Sequence, residues 1–259
     1  MIEGALRRDR VLVVGGLLAV IALSWAYLLA GAGMSLHEMD GMLMPMRVGP
    51  WTASYAGLML VMWGVMMAAM MLPSAAPMIL LYGAIARRRQ EAGDTTAATG
   101  LFTAGYVAIW ALFSATAVAL QFGLEQAALL SPMMETTSIA FAGLVLIAAG
   151  IYQWTPLKQA CLRQCRSPLE FIMTQWRAGP RGALMMGLRH GSYCLGCCWV
   201  LMLLLFVGGV MNLAWIAGLA VFVLVEKLAP AGHWIGRIAG VALIAWGVAA
   251  LAGLGRYLA

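Results

Sequence analysis

The run His190-Gly-Ser-Tyr-Cys194-Leu-Gly-Cys197-Cys198-Trp199 carries three thiols and an imidazole at helical spacing. At about 100° per residue, His190, Cys194 and Cys197 fall within roughly 60° of one another, with Cys198 at the edge of that arc. Soft thiolates with one imidazole suit copper(I), and also zinc. The competing use of such residues is packing, because free cysteine is among the most buried residue types. A single cysteine in an apolar helix takes that reading by default, whereas three with a histidine at this spacing favour metal. A second pair, Cys161 and Cys165, stands at i, i+4 in Lys158-Gln-Ala-Cys161-Leu-Arg-Gln-Cys165-Arg166. A helix there puts both sulfurs on one face. The two clusters could meet in one site or act as two stations for a passing ion.

Methionine is the next signal, with 20 in 259 residues. Met59, Met62, Met66 and Met70 fall within about 80° on a helix and make a stripe along one face. The thioether is uncharged, tolerates lipid and is a preferred soft ligand for copper(I). Taken alone, such a stripe is better read as gap-filling between helices. A short loop rich in soft donors, with Met34, His37, Met39, Met42, Met44 and Met46, changes the balance. Packing is a poorer account of exposed thioethers, so this loop and the stripe together read as a metal relay. Pro73 and Pro77 lie on the arc of the stripe and are expected to break or kink its helix.

Other marks are weaker. Glu226 and Lys227 close an apolar run and are expected to snorkel to an interface, and His233 to lie in a solvated loop. Gly236 and Gly240 form a G-x-x-x-G that suits close helix packing. No Walker A loop, G-x-S-x-G elbow, H-E-x-x-H or dinucleotide fingerprint occurs, so ATP-driven or hydrolytic chemistry has no support.

The elements that must position these residues are membrane helices. The chain is 63% hydrophobic and only 10% charged, against about a quarter charged in a soluble domain. Apolar runs near the length of about 20 residues that a span needs occur at 11–30, 53–71, 100–122, 138–154, 191–210, 213–228 and 238–254. The fold class expected is therefore all-α, a single polytopic bundle of about seven spans. With the N-terminus inside, every lysine and arginine except Arg47 and Arg256 falls on the cytoplasmic side, which sets the orientation. Cys161, Cys165 and the start of the fifth span then face the compartment that keeps thiols reduced. The first run follows Arg7, Arg8 and Arg10 as a signal peptide would, but its apolar stretch is longer, which favours a retained helix. The net charge of +6 sits in short loop clusters rather than a basic stripe interleaved with aromatics, so nucleic acid is not an expected partner.

Three stretches carry a family resemblance: Tyr152 to Pro168 with both cysteines, Gly187 to Trp199, and Met70-Met71-Leu-Pro73-Ser-Ala-Ala-Pro77-Met78, joined by Met211-Asn212-Leu and Glu226-Lys227-Leu. They resemble the bacterial predicted metal-binding integral membrane proteins, over roughly residues 63–228. The resemblance implies a multi-pass protein of the bacterial inner membrane, with a copper-chaperone role proposed within the family. It implies Cys161, Cys165, His190, Cys194, Cys197 and Cys198 as metal ligands. The function expected is copper(I) handling as chaperone, delivery factor or transporter, with a copper-dependent client or a membrane complex as partner, or a second copy of the chain. Two rivals stand beside it: a metal-dependent membrane redox enzyme, and an accessory or structural subunit of a membrane complex.

Overall fold

The computed structural model describes residues 2–34, 36–39, 42–45, 50–89, 95–131 and 134–253. The described chain is a helical bundle with one small β-hairpin. The elements are α1 (Ile2–Leu29), β1 (Leu36–Met39), β2 (Met42–Pro45), α2 (Ala53–Arg89), α3 (Thr95–Gln126), α4 (Ile139–Tyr152), α5 (Pro156–Arg166), α6 (Pro168–Gln175), α7 (Gly179–Leu203), α8 (Leu205–Gly208), α9 (Leu213–Leu228) and α10 (Gly232–Leu251). Among the described residues, five helices are long and apolar enough to cross a membrane. The number is six if α4 and α5, bent by 63°, count as one broken span. Of the seven expected runs, 138–154 and 213–228 become α4 and α9, each shorter than the length a straight span needs.

Local chemistry sets the breaks. Ser138 caps α4 by accepting from the Phe141 amide at 3.2 Å. Thr155 caps α5 through the Lys158 amide, and Pro156 takes the first helical position, where a missing N–H costs nothing. Together these turn the chain sharply after Tyr152 and send α5 back against α7. Asn212 caps α9 through the Trp215 amide, just after Gly209 makes the tight turn at φ 93°.

Two expected boundaries move. α2 does not stop at residue 71 but runs unbroken through Pro73 and Pro77 to Arg89. Between the prolines and α3, Met71 O accepts from Ser74 Oγ at 2.9 Å and from Tyr106 Oη at 3.2 Å. α7 starts at Gly179 rather than 191, so the His190–Cys198 run lies well inside a long helix instead of at its entrance.

Glycines set the two closest helix pairs. A Cβ on Gly187 of α7 would stand 2.0 Å from Phe102 O of α3, and one on Gly105 would stand 2.4 Å from Leu184 O. Gly150 and Gly240 make the same backbone approach between α4 and α10. The seam on α10 is made by Gly240 and Gly247, whereas Gly236, the other glycine of the G-x-x-x-G, faces the Glu226 and Gln153 side chains. Large apolar side chains such as Leu23, Leu112, Leu144, Trp154, Ile238 and Val241 cover the outside. The interior holds the α2 methionines together with the buried polar groups.

Candidate metal centre

α7 turns His190, Cys194, Cys197 and Cys198 onto one buried face, as their spacing requires. α5 brings the second pair to the same place. The Cys165 thiol faces Cys194 and Cys197 of α7. Cys161 Sγ packs where a Cβ on Gly196 would stand, 2.7 Å away, so this position admits only glycine without a shift. All five cysteines are free thiols and converge between α5 and α7. The two sequence clusters are therefore one group.

The thiols are held by hydrogen bonds. Cys197 Sγ and Cys198 Sγ both donate to Cys194 O, at 3.1 and 2.9 Å. Cys194 Sγ meets Tyr106 Oη at 3.1 Å and Lys227 Nζ at 3.0 Å. Lys227 Nζ also donates to Ser74 Oγ at 3.2 Å, and Ser74 bonds on to Met71 O. α2, α3, α7 and α9 are thus tied together around Cys194. Tyr152 of α4 donates to Gly196 O on the far side of α7.

His190 is 3% exposed and lies among aromatic rings, stacked near Phe102 and Tyr106 and edge-on to Phe171. Its Nδ1 is buried without a hydrogen-bond partner. A buried polar atom left so costs about 1–3 kcal/mol and calls for a partner such as a metal ion or water. The donor set therefore fits a soft ion. As the side chains stand, however, among the described residues no three or more His, Cys, Asp or Glu are disposed around a common point to hold a metal. Hydrogen bonds occupy the sulfurs of Cys194, Cys197 and Cys198 instead.

Glu226 and Lys227 depart from expectation. Neither snorkels: they are 1% and 4% exposed. Glu226 Oε2 pairs with Lys158 Nζ of α5 at 2.8 Å, a fully buried ion pair. Arg166 closes the end of α9 by donating to the carbonyls of Glu226, Ala229 and Pro230 at 2.7 Å. His233, placed in a loop by sequence, opens α10 and is half-buried beside Arg163 and Arg166 in a cavity of about 290 Å³.

The methionine stripe of α2 faces inward. Met59, Met62, Met66 and Met70 are all buried, with Met67, Met71 and Met78 beside them. At the end of α2 nearest the hairpin, Gln121 of α3 donates to Met59 Sδ at 3.6 Å and to Glu125 at 3.0 Å, and accepts from Trp63 Nε1 at 2.9 Å. Trp51 holds the other oxygen of Glu125. Met34 is buried against the core. His37, Met39, Met42 and Met44 lie in the hairpin, where His37 pairs with Met44 and Met39 with Met42. Met46 lies outside the described residues.

Tyr106, Ser74, Lys158 and Gln121 were not read from sequence as parts of the site. A signal did exist for Lys227: Ile216, Ala220, Val223 and Lys227 fall on one helical face, the buried face of α9. A lysine that continues an apolar stripe points inward.

Fold and centre together define a class: a bundle of long apolar helices enclosing a thiol-rich group and a column of thioethers. A sequence model of the PpoB2 copper chaperone family matches residues 60–250, and the chain belongs to that family. No curated protein and no solved structure matches the chain significantly. The matched stretch holds every cysteine, His190 and the α2 stripe from Met62 on, while the hairpin lies before it.

Proposed function

We propose that the protein is an integral membrane chaperone for copper(I), seated in the bacterial inner membrane, that gathers the ion and delivers it to a copper-dependent client. The observation that carries this reading is the convergence of Cys161, Cys165, Cys194, Cys197 and Cys198 with His190 inside the helices of a copper chaperone family member. These six residues are the proposed ligands. Copper(I) accepts two or three soft donors, so a few thiols turning away from their present hydrogen bonds suffice to hold it.

The remaining soft donors support a route. His37, Met39, Met42 and Met44 of the hairpin capture the ion, with Met46 after them in sequence and Met34 buried just before them. Met59, Met62, Met66 and Met70 then offer weak neutral stations along α2. Thioethers suit such passage because they bind without an ionic charge to neutralise and release readily. The outer apolar belt favours lipid as the surrounding solvent.

Metal content, measured by mass spectrometry on anaerobically purified protein, tests the reading. Wild type is expected to carry near-stoichiometric copper, and a Cys194→Ser/Cys197→Ser variant to lose it. Zinc in place of copper after copper-replete growth sinks the copper reading, and equal metal in both forms removes the thiol centre as its site.

A further inference from the structure

Lys227 is a buried cation whose nearest carboxylate is already taken. Glu226 pairs with Lys158 at 2.8 Å, and those two charges cancel. Lys227 instead directs its ammonium at Cys194 Sγ, 3.0 Å away, and at Ser74 Oγ, 3.2 Å away. Ser74 in turn is anchored to Met71 O, so α2 fixes the ammonium from behind. A buried charge of this kind is tolerable only with an opposite charge close by. A sulfur is what the fold provides.

We propose that Lys227 is the counter-cation of an anionic two-thiolate copper(I) centre in which Cys194 is one of the thiolates. The inference rests on the copper(I) reading above and adds how the site holds its charge. One copper(I) with two thiolates carries a net charge of −1, which the single uncompensated lysine neutralises. The metal need not displace the ammonium, because a coordinated thiolate sulfur keeps lone pairs that accept an N–H bond. Lys227 therefore stabilises the loaded site without being a ligand. A neutral side chain there leaves an unbalanced anion in a low-dielectric interior.

The test is copper(I) affinity of the full-length protein in detergent, read anaerobically by competition with bicinchoninic acid. Wild type is compared with Lys227→Met, Lys227→Arg, Cys194→Ser and Cys194→Ser/Lys227→Met. Lys227→Met is expected to weaken binding by about 30-fold or more, with Lys227→Arg within about threefold of wild type. In the Cys194→Ser background, Lys227→Met is expected to change affinity by less than about threefold, because the charge it balances is gone. Wild-type affinity in Lys227→Met overturns the proposal, as does an equal loss in both backgrounds or a loss in Lys227→Arg as large as in Lys227→Met. No copper(I) binding by wild type instead overturns the copper reading itself. Should Lys227→Met fail to fold, Lys227→Gln replaces it, since its amide can still bond Ser74 while lacking the charge.

Discussion

Glu226 has both carboxylate oxygens inside the bundle, with Oε2 on Lys158 and Oε1 without a hydrogen-bond partner. Beside it both amide atoms of Gln153 are buried and unpartnered, and Gly236 leaves room for the two side chains. Burial of this kind makes the ion pair an all-or-nothing contact. Removing one partner strands the other charge, which costs about 3–5 kcal/mol, whereas replacing both by apolar residues is close to neutral. Glu226→Gln is therefore expected to lower stability by about 3 kcal/mol in thermal unfolding of the detergent-solubilised protein. Lys158→Met/Glu226→Leu is expected to regain most of it. A single variant that melts like wild type contradicts a structural role for the pair. The same comparison separates the two lysines by function, because Lys158 answers a carboxylate and Lys227 a sulfur.

At the scale of the element, the centre depends on how closely α3 and α7 approach. Tyr106 reaches Cys194 only because Gly187 and Gly105 let the two backbones touch. Gly187→Ala places a methyl 2.0 Å from Phe102 O, a backbone atom that has nowhere to go. The helices must separate, at a cost of about 1–3 kcal/mol or more, and the Tyr106–Cys194 contact opens. A lower melting temperature together with copper(I) affinity reduced about tenfold is the expected result. Gly123→Ala, which meets open space, is expected to leave both unchanged. Equal behaviour of the two variants would show that close approach does not govern the centre. Much of this arrangement was legible in the residues themselves. The 3.6-residue period predicted the common face of His190, Cys194 and Cys197, and the i, i+4 spacing predicted that of Cys161 and Cys165. What spacing could not give was their meeting, because that depends on the 63° bend after Tyr152. Nor could it give Tyr106, one polar atom in a long apolar run. Lys227 was misread for a physical reason: the end of an apolar run looks like an interface until the helix face is followed inward.

At the scale of the whole molecule, large apolar side chains stand bare on the outside of the bundle, while one ion pair, Lys227, three thiols and the α2 thioethers are buried within it. Burying the charges is costly, whereas a column of neutral thioethers serves equally as gap-filling or as soft donors. From the Gln121–Met59 contact near the hairpin, the stripe passes Met62, Met66 and Met70. It reaches Met71, whose carbonyl bonds the same Tyr106 that touches Cys194. Tyr106 thus links the backbone of the stripe's helix to the thiol group. Gap-filling and conduction make different demands on these residues. Leucine conserves the volume and apolar character of methionine at small cost to packing, but it has no sulfur. Met62→Leu/Met66→Leu is therefore expected to fold, and to bind copper(I) at equilibrium as wild type does. In proteoliposomes given copper(I) on the hairpin side only, the thiol centre of this variant is expected to load at least about tenfold more slowly. An unchanged loading rate assigns the stripe to packing and leaves the thiol centre to be filled by another way. A slower rate with unchanged equilibrium binding marks the column as the path, since a change confined to packing has no reason to alter one without the other.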